Sequence, residues 1–489
     1  MIKAGFAEVD ITPPPGTSIS TFTEDAAFNA LTPLSVTACV LDNGKKKVAI
    51  AGIDTAVITR EAFSAAFESL KKEIGLDLLL CCASHTHKGG PAIRAYGGSE
   101  ETFARIEEIS PEIRKLGLDA NRMICPPEKR GDRKLNEAYY YSLSKRISEA
   151  VAAANGKMEE VRLLNGRSVA RDVGYNRRQR MKNGCTVTHA GAGNPDIEGF
   201  AGPCDDEVIV SAAVNRDGKV LGSIVNYGCH GTTEFSNSFS ADWPYFMRET
   251  VRKMTGKDTV TVFINGCCGD VTQINNLDDK GPLRACGKWP KILGQRVGFA
   301  AIDAMTNGDA EEYSRIEFMT EKLILGYRKP GRKNYEKSVK LANTPPDDSY
   351  ERFWALGTLL IKKESELNPD IECELNVLQV GNLLICTAPT EVFASTGLAI
   401  KASSHFPFTM VAELTNGWLG YLPTEDVFGP SGGGYEGQFK FGSYLEKTAE
   451  KKVREKLSLM AGSFSPEKEM PSVKKEEGKP WWPATPEEL

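Results

Sequence analysis

Two histidines lie two residues apart in the stretch CCASHTHKGGP, which spans residues 81–91. They are His85 and His87, two of only five histidines in the chain, and they follow directly on the apolar run IGLDLLLCCA. On a strand, residues i and i+2 share a face, so both rings of an H-x-H pair could reach one ion or one substrate. Imidazole is a ligand of zinc and an acid–base group at neutral pH. The spacing therefore predicts either a metal site or a ligand beside an assisting histidine.

Three more apolar segments end in residues that could take part in the same chemistry. NYGCHGT places His230 after KVLGSIVNYGC, NGCCGDVTQIN follows a strand with a glycine-rich turn, and CTAPTE places Glu391 after a predicted strand. Histidine and carboxylate ligands from separate strand ends form open catalytic zinc sites, in which one coordination position is left for water or substrate. Together, the four strand ends predict a zinc site of this kind.

Each signal also has a purely structural alternative. A single histidine is more often a hydrogen-bonded structural residue than a ligand. The glycines of NGCCGD serve a tight turn equally well. Glu391, two residues after Pro389, suits the first turn of a helix, where a negative charge is favourable. These alternatives stay open for each residue by itself.

The composition is that of an ordinary globular α/β protein. The chain has 489 residues, of which 41% are hydrophobic and 26% charged, with a net charge of −5. This balance predicts no nucleic-acid partner, and the absence of an 18-residue apolar run predicts no transmembrane segment. The N-terminus lacks the apolar core of a signal peptide, and the 12 cysteines include no C-x-x-C pair. We therefore expect a cytoplasmic protein, unless an export signal has been removed.

Alternating strand and helix signals supply the elements that would position these groups. The predicted hairpins turn at Asn43-Gly44, Arg216-Asp217-Gly218 and Gly381-Asn382, and the predicted helices cover 61–74, 135–154, 293–305 and a segment from about Glu391. Hairpins interleaved with helices favour mixed sheets. The fold class expected is α/β, with mixed β-sheets built from hairpins, flanking helices and one large zinc-hydrolase-like domain.

Two segments fall outside this alternating pattern. Residues 92–133 look like a long insertion beside the histidine pair, rich in glycine, proline and charge. From residue 463 the composition becomes polar and proline-rich, and this segment contains Trp481 and Trp482. We therefore expect a catalytic domain over 1–462 and a tail over 463–489.

The ordered set of motifs resembles the N-terminal catalytic domain of the neutral (non-lysosomal) ceramidase family, which are zinc-dependent amidases. The matching stretches run from AEVDITPPPG through ASHTHKGGP, NRR, NYGCHGT, NGCCGDVTQIN and APTE to YLPTEDVFGPSGGGYEG, and they cover most of residues 1–445. The resemblance implies Zn²⁺ as the cofactor and four ligands, namely His85, His230, Glu391 and Tyr421. It also implies four catalytic residues beside the metal, namely His87, Arg177, Thr272 and Tyr435.

Three departures from the family pattern bear on the substrate. The family has a reactive serine in G-D-V-S where this chain has Thr272, whose extra methyl group restricts its rotamers. Family members that cleave ceramide carry a further β-sandwich domain, which this chain is expected to lack. The loops GGSEETFARIEE and GPSGGGYEG are polar and glycine-rich. These features favour hydrolysis of an N-acyl bond in a small polar substrate over ceramide, with the Thr272 hydroxyl assisting metal-activated water.

Two other functions fit the same residues. A catalytically inactive homologue that binds a metal or a ligand is one, and Thr272 is the feature that favours it. A metal-dependent hydrolase of esters, lactones or sugars is the other, because fold does not settle chemistry. The expected partner is a small-molecule or N-acyl substrate, and a homo-oligomer is compatible with the sequence.

Overall fold

The computed structural model of the protein describes residues 1–19, 25–92, 131–281, 287–342 and 350–469. The strands in these ranges are β1 (Ile2–Asp10), β2 (Thr17–Ser18), β3 (Ala26–Ala27), β4 (Ser35–Asp42), β5 (Lys47–Ile53), β6 (Leu78–Ala83), β7 (Glu159–Val169), β8 (Tyr175–Asn176), β9 (Arg178–Met181), β10 (Thr186–Thr188), β11 (Ile197–Phe200), β12 (Glu207–Asn215), β13 (Val220–Tyr227), β14 (Val260–Asn265), β15 (Val271–Thr272), β16 (Ala310–Glu311), β17 (Ile316–Gly326), β18 (Asp370–Val380), β19 (Leu383–Thr387), β20 (Glu391–Val392), β21 (Phe408–Ala412) and β22 (Tyr421–Leu422).

Helices follow or connect these strands. The α-helices in the described ranges are α1 (Arg60–Ile74), α2 (Arg133–Asn155), α3 (Asp242–Thr255), α4 (Trp289–Thr306), α5 (Arg332–Ala342), α6 (Tyr350–Leu367), α7 (Ala394–Ser403) and α8 (Ala449–Ala461). Helix α1 shows how local sequence sets these bounds. The Thr59 side chain accepts a hydrogen bond from the Ala62 N–H at the N-terminus, and Gly75 ends the helix with a left-handed φ of 67°.

The largest sheet has nine strands in the order β14-β13-β12-β7-β1-β4-β5-β6, with β16 added beside β7. Neighbouring strands are antiparallel except at the two ends, where β13 with β14 and β5 with β6 are parallel. Each parallel pair is joined by a crossover helix, α3 or α1. The sheet therefore carries one β-α-β unit at each edge.

The sheet curls so that its two edges meet. Strand β14 packs against β4, β5 and β6, which lie at the opposite end of the strand order. A Cβ at Gly52 in β5 would lie 2.5 Å from the carbonyl oxygen of Phe263 in β14, so this approach needs a glycine. The loops after β6 and β13 are thereby brought to the same place.

The two faces of this sheet are covered by different layers. In β5, Ala49, Ala51 and Ile53 pack on the helix side, which includes residues of α1 and α2. Val48 and Ile50 point the other way and pack with a second sheet of order β17-β18-β19-β21. Helix α8 covers the outer face of that second sheet. The result is four layers, helices on sheet on sheet on helices.

Most of the predicted elements are confirmed. The three hairpins turn where expected, between β4 and β5, β12 and β13, and β18 and β19. The helix predicted from about Glu391 is wrong in its start, because Glu391–Val392 is a short strand paired with Tyr421–Leu422 and the helix begins at Ala394. Most of the predicted insertion, and Trp481 and Trp482, lie outside the described residues. No described helix has the length and apolarity needed to cross a bilayer.

Candidate metal-dependent active site

Three imidazoles come together where the edges of the large sheet meet. The His85 ring centroid lies 4.9 Å from that of His87 and 4.5 Å from that of His230. One nitrogen from each ring can be chosen so that all three atoms lie within 4.8 Å of one another. His85 and His230 are fully buried, and His87 is half-buried. The three histidines quoted from two distant motifs thus form one cluster.

The His85–His87 pair does not lie on a strand, contrary to the expectation from its spacing. Strand β6 ends at Ala83, and His85 has a left-handed φ of 62°. Residues with side chains rarely adopt this conformation, which recurs at functional sites. The segment is then held in place because the His87 N–H donates to the Gly231 carbonyl at 3.0 Å. A turn beside His230 therefore brings the rings together.

Backbone carbonyls set the tautomers of two of the rings. His85 Nδ1 lies 2.7 Å from the Ala56 carbonyl oxygen, and His230 Nδ1 lies 2.9 Å from that of Val271. A carbonyl oxygen can only accept, so Nδ1 carries the proton in both rings and Nε2 presents a lone pair. Histidines that bind metals are typically held in this way.

Glu391 completes the cluster. Its Oε2 lies 3.5 Å from His85 Nε2 and 3.6 Å from His230 Nε2. Its Oε1 accepts a hydrogen bond from Trp418 Nε1 at 3.0 Å, whereas the buried Oε2 has no hydrogen-bond partner. An unsatisfied carboxylate oxygen facing two imidazole lone pairs is the donor set that a divalent cation requires. The residues present therefore fit a metal ion.

The charges of the cluster are strongly coupled. Burial disfavours ionised Glu391, but its interactions with His230 and His85 outweigh burial and hold the pKa of this carboxyl well below its usual range. Burial lowers the pKa of His230 to about 3, and the positive charge of Arg177 acts in the same direction. The site is thus built to hold a carboxylate next to a neutral His230 ring, as ligation requires.

Arg177 connects the cluster to the other predicted residues. Its Nη1 lies 3.1 Å from His230 Nε2, and its Nη2 donates to the Tyr421 hydroxyl at 3.0 Å. Its Nε donates to the Glu436 carboxylate at 2.6 Å, and this pair is buried. A metal bound to His230 would replace the first of these contacts.

The two predicted tyrosines lie side by side at this position. Tyr421 is buried and pairs in register with Glu391 between β22 and β20. Burial raises the pKa of Tyr421 well above its usual range, with the negative Glu391 acting in the same direction, so the phenol is neutral. The ring of Tyr435 packs edge-on against that of Tyr421 at 5.8 Å and is partly exposed.

Thr272 is buried beside the cluster, but its hydroxyl does not face a base. Its Oγ1 donates to the Gln273 side-chain oxygen at 2.8 Å and lies 3.5 Å from the Thr232 hydroxyl. The preceding residue, Val271, supplies the carbonyl that holds His230. This environment suits a hydroxyl that orients or donates better than an activated nucleophile.

Several residues of the site were not predicted. Glu436 accepts a hydrogen bond from Arg177, and Trp418 donates one to Glu391. Glu413 accepts a hydrogen bond from the glycine-rich turn. Glu436 lies in the Y-E-G motif, of which the family resemblance implies a role for the tyrosine alone. Trp418 and Glu413 lie in no motif, and a buried charge such as Glu413 is recognisable only once the fold is known.

Comparisons with known proteins connect this fold to solved structures. No protein-family model and no curated protein matches the sequence. A crystal structure of neutral ceramidase from Pseudomonas aeruginosa superposes with a TM-score of 0.65 at 14% sequence identity, covering 94% of this chain and 74% of that one. A structure described as ceramidase complexed with C2 gives a TM-score of 0.66 at the same identity and coverage. The chain therefore has a neutral-ceramidase-like fold, as the motifs predicted.

Proposed function

We propose that the protein is a metal-dependent hydrolase that cleaves an N-acyl (amide) bond. The observation that carries this proposal is the unsatisfied Glu391 Oε2, which lies 3.5 and 3.6 Å from the Nε2 atoms of His85 and His230. The ceramidase-like fold supports the same class of reaction by analogy.

His85, His230 and Glu391 are the proposed ligands, with Tyr421 as a fourth that a substrate can displace, and Zn²⁺ is the proposed metal. When bound, such an ion supplies Lewis acidity and activates water at neutral pH. His87 Nε2 lies 3.4 Å from His85 Nε2, so His87 is close enough to ligate as well. We propose that His87 acts as an acid–base group and not as a metal ligand, because it is the most exposed of the three rings.

The chain's own residues would bind the substrate and move protons. Burial lowers the pKa of His87 well below its usual range, and the nearby His85 and His230 act in the same direction. A neutral imidazole there can take a proton from attacking water and return it to the leaving amine. The phenol of Tyr435 is a proposed donor to the developing oxyanion, and the Thr272 hydroxyl would assist it by turning its proton from the Gln273 side-chain oxygen to the oxyanion. Arg177 would orient a polar part of the substrate.

A metal assay and a substrate screen test this proposal. The purified protein is analysed for bound metals and assayed on N-acyl, ester and glycoside substrates, before and after chelation. We expect about one equivalent of a divalent metal per chain and chelator-sensitive release of amine from small polar amides. Tight metal binding without turnover on any panel would instead support an inactive binding homologue. Turnover restricted to esters or glycosides would replace the amidase assignment.

A further inference from the structure

A cavity of about 430 Å³ lies between α5, α6 and residues 438–440. Its wall contains uncharged polar side chains and apolar ones, namely Asn334, Ser338, Thr358, Trp354, Leu341, Ala355 and Phe439. Lys337 and Glu351 line it as well and form an ion pair with each other at 3.8 Å. Their charges offset each other, so they contribute little net charge to the cavity.

Among the described residues, one further cation lines this cavity, and it is buried. Lys440 is only 1% exposed, and its Nζ has no hydrogen-bond partner among the described residues. The ammonium group has three protons to donate, and burying it without acceptors is costly. It lies against the Tyr435 ring and 5.4 Å from the centroid of the Trp354 ring, contacts that replace only part of its hydration.

The cavity adjoins the candidate active site through aromatic rings. The Tyr435 ring lies 6.2 Å from that of Trp354 in the cavity wall and 5.8 Å from that of Tyr421 in the site. Arg177, another cation of the site, is already paired with Glu436. Lys440 is therefore the cation next to Tyr435 that has no carboxylate partner in the described chain.

We propose that this cavity is the specificity pocket of the enzyme and that Lys440 binds a carboxylate on the substrate by turning its Nζ from the Tyr435 ring into the cavity. The substrate class would then be a small amide whose acyl or amine portion carries one carboxylate. A single lysine without a carboxylate partner among the residues described matches a monoanion, and the mixed polar and apolar wall suits the rest of a small amide. This inference rests on the proposed function, since it assigns the pocket to the substrate of that reaction.

The protonation of Lys440 is consistent with this role. Burial lowers the pKa of Lys440 to about 6. A bound carboxylate would favour the charged ammonium and raise this pKa again. Binding at pH 7 should therefore be accompanied by uptake of a proton, which a purely structural lysine would not show.

A matched pair of ligands tests the pocket by calorimetry on the full chain. N-benzoylglycine carries the carboxylate, and its carboxamide has nearly the same shape without the charge. We expect the carboxylate to bind at least about tenfold more tightly, the effect of one charge-assisted hydrogen bond, with proton uptake revealed by buffers of different ionisation enthalpy. Lys440→Met should abolish both the preference and the proton uptake. Lys340→Met, at an exposed position on α5, should abolish neither.

Other outcomes overturn the pocket. The pocket assignment is contradicted if the two ligands bind with equal affinity or if the preference for the carboxylate survives in Lys440→Met. It is also contradicted if N-benzoylglycine does not bind at millimolar concentration. The unfolding midpoint of Lys440→Met is expected not to fall, because the change replaces a buried amine that makes no hydrogen bond to the described residues with an apolar side chain of similar length. If it does fall, Lys440→Gln provides the same test with a polar side chain.

The test separates this inference from the proposed function. The preference should persist in His85→Ala, because binding at Lys440 does not require turnover. A preference for the carboxylate ligand without hydrolysis of any amide would support binding at Lys440 and contradict the proposed hydrolase function. Hydrolysis of amides without a carboxylate preference would reject the pocket alone.

Discussion

At the scale of single residues, the site depends on side chains in which hydrogen bonds hold one polar atom and leave the other free to bind an ion. Backbone carbonyl groups accept hydrogen bonds from Nδ1 of His85 and of His230. The indole N–H of Trp418 donates a hydrogen bond to one carboxylate oxygen of Glu391. The remaining Nε2 atoms and Oε2 face one another. Preorganisation of this kind lowers the entropy cost of binding an ion.

Removing one ligand should reduce metal binding specifically. We expect His230→Ala to lower metal affinity by more than the roughly 10- to 100-fold that loss of a supporting residue costs. The measurement is elemental analysis after dialysis against buffered metal. His405→Ala, at an exposed histidine, is the matched control and should keep the metal. Equal metal content in the two variants would show that His230 is not a ligand.

Arg177 should matter for stability as well as for activity. Arg177→Met leaves Glu436 buried without its closest cation, so we expect the free energy of unfolding to fall by about 3 kcal/mol or more. Urea denaturation measures this loss. Changing Glu436 to Gln in the same chain should restore part of the stability. A loss below about 1 kcal/mol in the single variant would mean that Arg178, 3.9 Å from Glu436, already neutralises the carboxylate.

At the scale of elements, short connections hold the strand ends in register around the site. Asn416, with a left-handed φ of 61°, accepts from the Cys81 N–H at 2.8 Å and donates to the Leu79 carbonyl at 3.1 Å. This joins the loop after β21 to β6, and so the second sheet to the first. Glu413 accepts from the N–H groups of Cys268 and Val392 and ties the glycine-rich turn to β20.

Asp270 makes a similar connection and should give stability a pH dependence. It accepts from Asn176 Nδ2 at 2.6 Å and from the Ala394 N–H at the start of α7 at 2.9 Å, and burial raises its pKa to about 6. The folded state therefore binds this proton more tightly than the unfolded state. From about pH 4 to pH 6 the stability should fall as pH rises, by at most about 3 kcal/mol.

The check is chemical denaturation of the wild type and of Asp270→Asn across this pH range. The variant cannot titrate at this position, so the difference in unfolding free energy between the two proteins should change with pH. A constant difference would show that Asp270 is ionised throughout, held so by its two donors.

The predicted boundary at residue 462 can be tested by truncation. Residues that follow it contact the second sheet and the segment just before it: Gln379 Nε2 donates to the Ser465 carbonyl at 2.7 Å, and Glu467 accepts from the Ser314 N–H at 3.0 Å. Phe464 is also buried, against the outer face of that sheet. We expect a chain that ends at 462 to unfold at a lower temperature than one that ends at 469. Equal midpoints would support the boundary at 462.

At the scale of the whole molecule, the proposed ligands tie both sheets together. His85 follows β6 at one end of the nine-stranded order, His230 follows β13 next to the other end, and Glu391 follows β19 of the second sheet. A metal held by all three should therefore stabilise the folded chain as a unit. At a free concentration 100 times its Kd, the gain would be about 2.7 kcal/mol.

Metal removal should accordingly lower the thermal unfolding midpoint. The comparison is calorimetry of the metal-loaded protein and of the same protein after chelation, with His230→Ala in parallel. We expect a midpoint several degrees lower after chelation and little change in the variant. If chelation lowered the midpoint equally in both proteins, the stabilising ion would be bound elsewhere.

How much of this was predictable differs between local and long-range features. The hairpin turns follow from their Asn-Gly, Asp-Gly and Gly-Asn pairs, and α1, α2 and α4 follow from apolar periodicity; both signals act over a few residues. The order of the motifs also pointed to the residues that lie together in the candidate site and to the ceramidase-like fold. These features were determined by the sequence alone because each depends on neighbouring residues or on a recognisable string of them.

The tertiary structure alone decided which of these residues meet. The curl that brings β14 to β5 needs a glycine at 52. A single glycine in a strand does not indicate which strand will pack against it. The left-handed turn at His85, the pairing of Glu391 with Tyr421, and the burial of Lys440 and Glu436 likewise depend on segments that are far apart in the chain. Charge burial and long-range contact are properties of the packed chain, so local sequence carries little signal for them.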